Sequence, residues 1–195
     1  GAYLATGWTW PLWTPVIFFY GIAPWIDWVL GPDTSNPPEE AIAWLEEDPY
    51  YRRLTYAMFP LLWIAFTFSG WFYARHDLPA HAVAALLLTT GSIGGFCINV
   101  GHELGHKPTR LERWLAKIVL APTFYGHFYT EHNRGHHRDV ATPEDPASAR
   151  MGESIYRFVL REMPGAFLRA WQLEKERLER AGERVWSLRN EILQP

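Results

Sequence analysis

LPAHAVAALLLTTGSIGGFCINVGHELGH, residues 78–106, decides the fold. From Leu78 to Val100 it carries no formal charge, and His81 is its one histidine. A helix needs roughly 20 mostly apolar residues to cross the hydrocarbon core of a bilayer, so this stretch predicts a transmembrane helix. The spacing of Gly91 and Gly95 lets a second helix approach closely, and packing alone accounts for both glycines. Just past Val100 the run ends in His102-Glu103-Leu104-Gly105-His106. Helical residues four apart are rotated by about 40° and separated by about 6 Å along the axis. His102 and His106 therefore point the same way and can grip one ion.

A second cluster, Glu131-His132-Asn133-Arg134-Gly135-His136-His137, follows. His132 and His136 repeat the four-residue spacing. His137 lies about 100° further round an α-helix, which predicts a site for two metals, with His132 and His136 on one and His137 offered to the other. Imidazole suits iron, copper, nickel and zinc. Five clustered imidazoles at the end of a membrane span point to metal chemistry on an apolar substrate. The metal-binding and catalytic candidates are His102, His106, His132, His136 and His137. Glu103, Glu131 and Asp139 are candidates for orienting imidazoles through the ring nitrogen that holds no metal. Ion pairs to Lys107, Arg134 or Arg138 are the plain alternative. His127 is a further candidate to orient an imidazole or to bind metal itself, or packs beside Tyr125 and Tyr129. Thr142-Pro143-Glu144-Asp145-Pro146 reads as a rigid turn that shapes the site or leaves it. His76 and His81 lie at the opposite membrane face and are expected to be uninvolved.

Outside these clusters the chain divides into three regions. Residues 1–101 are read as transmembrane helices near 8–30, 54–74 and 78–100, with a short surface helix near 37–47 capped by Asn36. Pro11, Pro15 and Pro24 kink or shorten the first span. Residues 102–150 form the histidine-box region. Thr109-Arg110-Leu111-Glu112 has the spacing of a capping box. The run Trp114–Tyr129 is too short to cross, and predicts a bent helix dipping into the membrane boundary. Residues 151–195 predict amphipathic helices punctuated by Gly165 and Gly182. Phe167, Leu168, Trp171 and Leu178 share one side, and Glu176 pairs with Arg180. The class is thus all-α and integral to a membrane.

Composition agrees with that class. The 195 residues suit one domain, 48% are hydrophobic, and the 11 Trp are typical of membrane boundaries. Of 18 Lys and Arg, only Arg52, Arg53 and Arg75 precede residue 102. Basic residues favour the cytoplasmic side, which places the histidines and the amphipathic helices there. The net charge of −3 gives no reason to expect nucleic acid. The single cysteine, Cys97, excludes an internal disulfide and thiolate metal sites. The first residue is not Met and the last is Pro195, and the chain is read as a fragment of a longer protein.

Two other chemistries compete. His102-Glu103-x-x-His106 satisfies the HExxH pattern of zinc metallopeptidases. A zinc hydrolase needs three protein ligands and an open position, fewer imidazoles than these clusters offer, and Pro108 stops the helix at once. Metal transport would place ligands along the spans, whereas these gather at one face.

The two clusters with their surroundings, above all residues 131–150, resemble the first two histidine boxes of the integral-membrane alkane monooxygenases, within the membrane fatty-acid desaturase and hydroxylase superfamily. Residues 36–40, 115–120, 125–128 and 151–156 share the likeness. Xylene-type monooxygenases are the nearest confusable group. The resemblance implies six transmembrane helices in the inner membrane of a bacterium. It implies a non-haem diiron centre held mainly by histidine, with His102, His106, His132, His136 and His137 matching ligand positions. It further implies terminal hydroxylation of an n-alkane drawn from the membrane lipid, with O₂ as cosubstrate and rubredoxin as electron donor. The family's third histidine box has no counterpart in these residues, so this chain alone is expected to be inactive.

Overall fold

The computed structural model describes residues 2–194, apart from the side chains of Glu46 and Glu47. The regular elements among its described residues are all helical, with no strand among them. They fall into two compact units, Gly1–Phe96 and Cys97–Pro195.

In the first unit, α1 spans Ala23–Leu30, α2 Glu39–Glu47 and α3 Pro49–Arg75, and α4 (Ala80–Gly105) begins here. With 27 and 26 residues, α3 and α4 are long and apolar enough to cross a membrane. Both longer than expected, they gain turns at their ends: Asp48 caps α3 through its carboxylate, which accepts from the Tyr50 N–H, and α4 runs on through His102. Leu61, Ile64, Phe68 and Leu87 on these helices are exposed, an apolar surface that suits hydrocarbon. The hydroxyls of Thr67, Ser69, Thr90 and Ser92 donate to backbone carbonyls four residues back, which keeps them satisfied without water.

Residues 10–30 do not form one helix. A 3₁₀ turn at Trp10–Trp13, a short helix at Thr14–Ile17, a π-turn at Phe18–Ile22 and α1 follow end to end. Pro11, Pro15 and Pro24 sit near the starts of three of these segments, because each lacks the N–H that would continue the previous one. The series nevertheless runs alongside α4. Thr9 Oγ1 lies 3.0 Å from His81 Nε2, Tyr20 Oη lies 3.1 Å from Ser92 Oγ, and both pairs are 72 residues apart in the chain. A constant offset means the two strands of chain run parallel. In α2 the helix starts at Glu39 with Pro38 in the capping position, so the Asn36 cap does not form.

The second unit holds the end of α4, then α5 (Arg110–Leu120), α6 (Phe128–Glu131) and α7 (Ile155–Arg180). Thr109 caps α5 as its spacing predicts: its Oγ1 accepts from the Glu112 N–H at 3.3 Å and donates to Glu112 Oε2 at 2.6 Å. The end of α5 packs on α4 at Gly101, where a Cβ would fall 2.6 Å from Leu120 Cγ. The run Trp114–Tyr129 is not one bent helix. α5 stops at Leu120, a 3₁₀ turn follows, and Phe124 adopts a left-handed conformation (φ 55°) before α6 begins.

One long helix, α7, replaces the expected series. Gly182 (φ 68°) ends it, with the Glu183 N–H donating to Leu178 O. Gly165 lies inside it, where a Cβ would fall 2.9 Å from Pro146 Cβ, so this glycine serves close approach and interrupts nothing. The buried face is Ala166, Ala170, Glu174 and Leu178. Of the expected stripe, Phe167 and Leu168 are exposed. The helix is turned so that its small residues and Glu174 face inward, because Glu174 binds Arg134 and Arg177. The Glu176–Arg180 pair forms at 3.4 Å.

Candidate metal centre

Four imidazoles meet at the C-terminal end of α4. His102 sits in its last turn and His106 just beyond, held by its N–H donating to His102 O. The Nε2 atoms of His102 and His106 are 3.0 Å apart. His132 brings its Nε2 to 3.2 Å from that of His106, and its ring centre to 4.5 Å from that of His102. The donor atoms of His102, His106 and His132 all lie within 4.8 Å of one another and could hold one ion. His137 joins them, with Nε2 3.1 Å from that of His132 and its ring 5.0 Å from that of His106.

His137 reaches this group because His132–His136 is a π-turn. The His137 N–H donates to His132 O, five residues back. That bonding stacks residues five apart, where an α-helix stacks residues four apart. The expected partition, with His132 and His136 together and His137 turned away, is therefore reversed. His136 stacks on His132 with ring centres 5.4 Å apart, and its Nδ1 donates to Asp145 Oδ2 at 2.8 Å.

The donor set fits a metal. An imidazole that is neutral carries one proton for two nitrogens, so a chain of four facing Nε2 atoms cannot satisfy every contact by hydrogen bonding. A cation among the lone pairs resolves this. Burial, and then the neighbouring imidazoles with His102 first, push the His132 pKa down to about 3. Burial and His102 also lower His106. Both rings stay neutral near pH 7, the form that ligates metal. Phe128 stacks on His132 at 4.8 Å and 18° between planes, which restricts rotation of that ring.

Two of the three carboxylates form ion pairs of the kind that the sequence offers as the plain alternative. Glu103 forms an exposed ion pair with Lys107 at 2.7 Å. Asp139 binds Arg138 at 2.9 Å and also Arg169. Glu131 is buried with its Oε1 unpartnered. Burial pushes its pKa up to about 7, opposed by Arg169. His127 is buried, its Nε2 unpartnered and its pKa lowered by burial; it packs on Tyr125 and Phe167. The carboxylate that does bind a cluster imidazole is Asp145, 2% exposed. In the sequence it stands inside the turn-rich loop 142–146. The signal available was its place nine residues after His136, which says nothing of a contact until the loop folds back.

An all-helical chain with a histidine cluster at the end of an apolar helix defines a class of membrane-associated metal sites. The comparisons narrow it. Residues 77–193 match the fatty acid desaturase family model, and the chain belongs to that family. It is 52% identical to alkane 1-monooxygenase 1 of Alcanivorax borkumensis, over all of this chain and 49% of the relative. It is 50% identical to alkane 1-monooxygenase of Pseudomonas putida over the same shares. A 32% likeness over 57% of this chain and 31% of the relative links it to a xylene/toluene monooxygenase hydroxylase component of Pseudomonas putida. The chain spans about half the length of the alkane 1-monooxygenases it matches.

Proposed function

We propose that this chain carries part of the metal site of a membrane alkane 1-monooxygenase, which hydroxylates the terminal methyl of an n-alkane. The convergence of His102, His106, His132 and His137 on one point carries this reading, together with the likeness to alkane 1-monooxygenases over the whole chain. In the complete enzyme the reaction consumes one O₂, two electrons and two protons, and yields the alcohol and one water. Two iron ions, when bound, supply dioxygen activation and oxygen transfer.

The chain's own residues do the holding and the placing. His102, His106, His132, His136 and His137 are the metal ligands. Phe128 keeps the His132 ring from turning. α3 and α4 cross the inner membrane of a bacterium, with residues 10–30 crossing in the same sense as α4. The alkane arrives from membrane lipid, where it dissolves, and the metal site sits at the cytoplasmic face, where the soluble donor rubredoxin delivers electrons. Glu131, beside His132, and His127 are buried, each with one polar atom that has no protein partner.

The zinc-peptidase reading has less support. Its general base would be Glu103, which Lys107 engages on the exposed side.

The test is a chimera in which this chain replaces the matching half of the Pseudomonas putida relative. In membranes supplied with rubredoxin, its reductase and ¹⁸O₂, it should form 1-alkanol carrying ¹⁸O. Its His137→Ala form should form none. An iron-loaded, membrane-inserted chimera that makes no alcohol, or one in which His137→Ala retains activity, would refute the reading.

A further inference from the structure

The structure assigns Asp145 as the positioning residue that fixes how His136 presents itself to metal. The assignment rests on the metal-site reading above and adds to it a carboxylate nine residues beyond His136, outside the His132–His137 cluster.

Asp145 Oδ2 stands 2.8 Å from His136 Nδ1. A carboxylate offers only lone pairs, so the ring must bring the proton to that contact. His136 is thereby held as the Nδ1–H tautomer, and its Nε2 lone pair is left for a metal. This is the arrangement by which outer carboxylates orient ligating histidines.

Asp145 is itself held firmly. The Ser148 hydroxyl donates to Oδ2 at 2.6 Å, and the Ala147 N–H donates to Oδ1 at 3.0 Å. Arg169 Nη1 lies 3.8 Å from Oδ1. Arg169 also ties this loop to the π-turn. It donates to Glu144 O at 2.7 Å, reaches Gly135 O at 3.5 Å, and binds Asp139. One arginine on α7 thus joins the loop that carries Asp145 to the turn that carries His136. A Cβ on Gly135 would fall 3.1 Å from Arg169 Nε and 2.9 Å from Glu131 Oε1, so the turn and the arginine meet without slack.

The π-turn makes this hold necessary. By aligning His137 with His132 it removes His136 from the helical register that would have set its direction. The direction comes instead from a residue nine positions on.

The test compares the wild-type chain with Asp145→Asn and Ser148→Ala in lipid nanodiscs, using ¹⁵N-histidine NMR and titration with Co(II). His136 is assigned by its loss in His136→Gln. The wild type should show His136 as the Nδ1–H tautomer without metal, and Asp145→Asn should convert a large part of it to Nε2–H. Co(II) affinity should fall about 10–100-fold in Asp145→Asn, the range for loss of an outer-shell partner, and by less in Ser148→Ala. An unchanged tautomer in Asp145→Asn, or unchanged Co(II) affinity, would overturn the assignment. A wild-type chain that binds no Co(II) would contradict the metal-site reading, while the tautomer comparison would still decide whether Asp145 sets the ring. Because Asn matches Asp in shape, circular dichroism melting should stay close to wild type, which separates positioning from unfolding.

Discussion

The Nε2 atoms of His132 and His137 lie 3.1 Å apart although the two residues stand five positions apart in the chain. An α-helix would hold these rings about 140° apart; the π-turn closes that gap, and with it the site gains a fourth converging imidazole. π-turns are rare and frequently mark functional sites, and here the reason is visible in the side chains it aligns.

If those four rings bind one ion, removing the central one should do most damage. His132→Ala should weaken Co(II) or Fe(II) binding by more than the roughly 10–100-fold expected for an outer-shell loss. His76→Ala, at the far end of α3, should leave it unchanged. Isothermal titration of the chain in nanodiscs reads both.

Close packing of α5 on α4 makes Gly101 intolerant of a side chain. In Gly101→Ala the new methyl would meet Leu120 Cγ at 2.6 Å and Cδ2 at 2.8 Å. Overpacking of this kind costs about 1–3 kcal/mol, so the melting temperature should drop. A melting curve equal to the wild type's would show that Leu120 moves freely aside.

Glu174 is fully buried on α7, accepting from Arg134, Arg177 and the Glu191 N–H. Removing one member of a buried ion pair costs about 3–5 kcal/mol. Both arginines here are partly exposed, so Glu174→Ala should cost about 2–3 kcal/mol, discounted for solvent screening. Denaturant unfolding measures it. Arg134 lies in the π-turn, so the same change should also weaken metal binding.

Arg161 holds Glu153 near a pKa of about 2 through paired hydrogen bonds, assisted by the Arg150 N–H. An unfolded glutamate titrates near 4.5. The folded value is the lower one, so the unfolded chain takes up its proton first as pH falls. The stabilisation is whole above pH 4.5 and fades as pH drops toward 2. The difference in melting temperature between wild type and Glu153→Gln should therefore shrink across that window. A difference that stays constant would exclude this pair as its source.

Much of this was legible in the residues. α3 and α4 follow from apolar length alone, and Thr109 caps α5 because its hydroxyl is the first acceptor available to Glu112. Two kinds of feature were not legible. Helical register inside the second cluster depends on a π-turn, and no local pattern in His132–His137 distinguishes it from an α-turn; tertiary ties from Arg134 and Arg169 accompany it. On α7, apolarity alone would turn Phe167 and Leu168 toward the core, and both are exposed. Yet Ala166 and Ala170 permit the closer approach, and Glu174 finds two arginines there. For the same reason Asp145 was passed over in favour of Glu103 and Asp139: contact with an imidazole is made by chain folding back, not by nearness in sequence.

The central claim is that imidazoles from both clusters close on one metal, and X-ray absorption at the iron edge of the Fe(II)-loaded chain tests it most directly. The account predicts a nitrogen shell near the zinc–imidazole distance of about 2.0–2.1 Å, with the outer scattering of at least three imidazole rings, and loss of part of that scattering in both His106→Ala and His132→Ala. Iron surrounded by oxygen alone, or a spectrum that neither substitution changes, would contradict it.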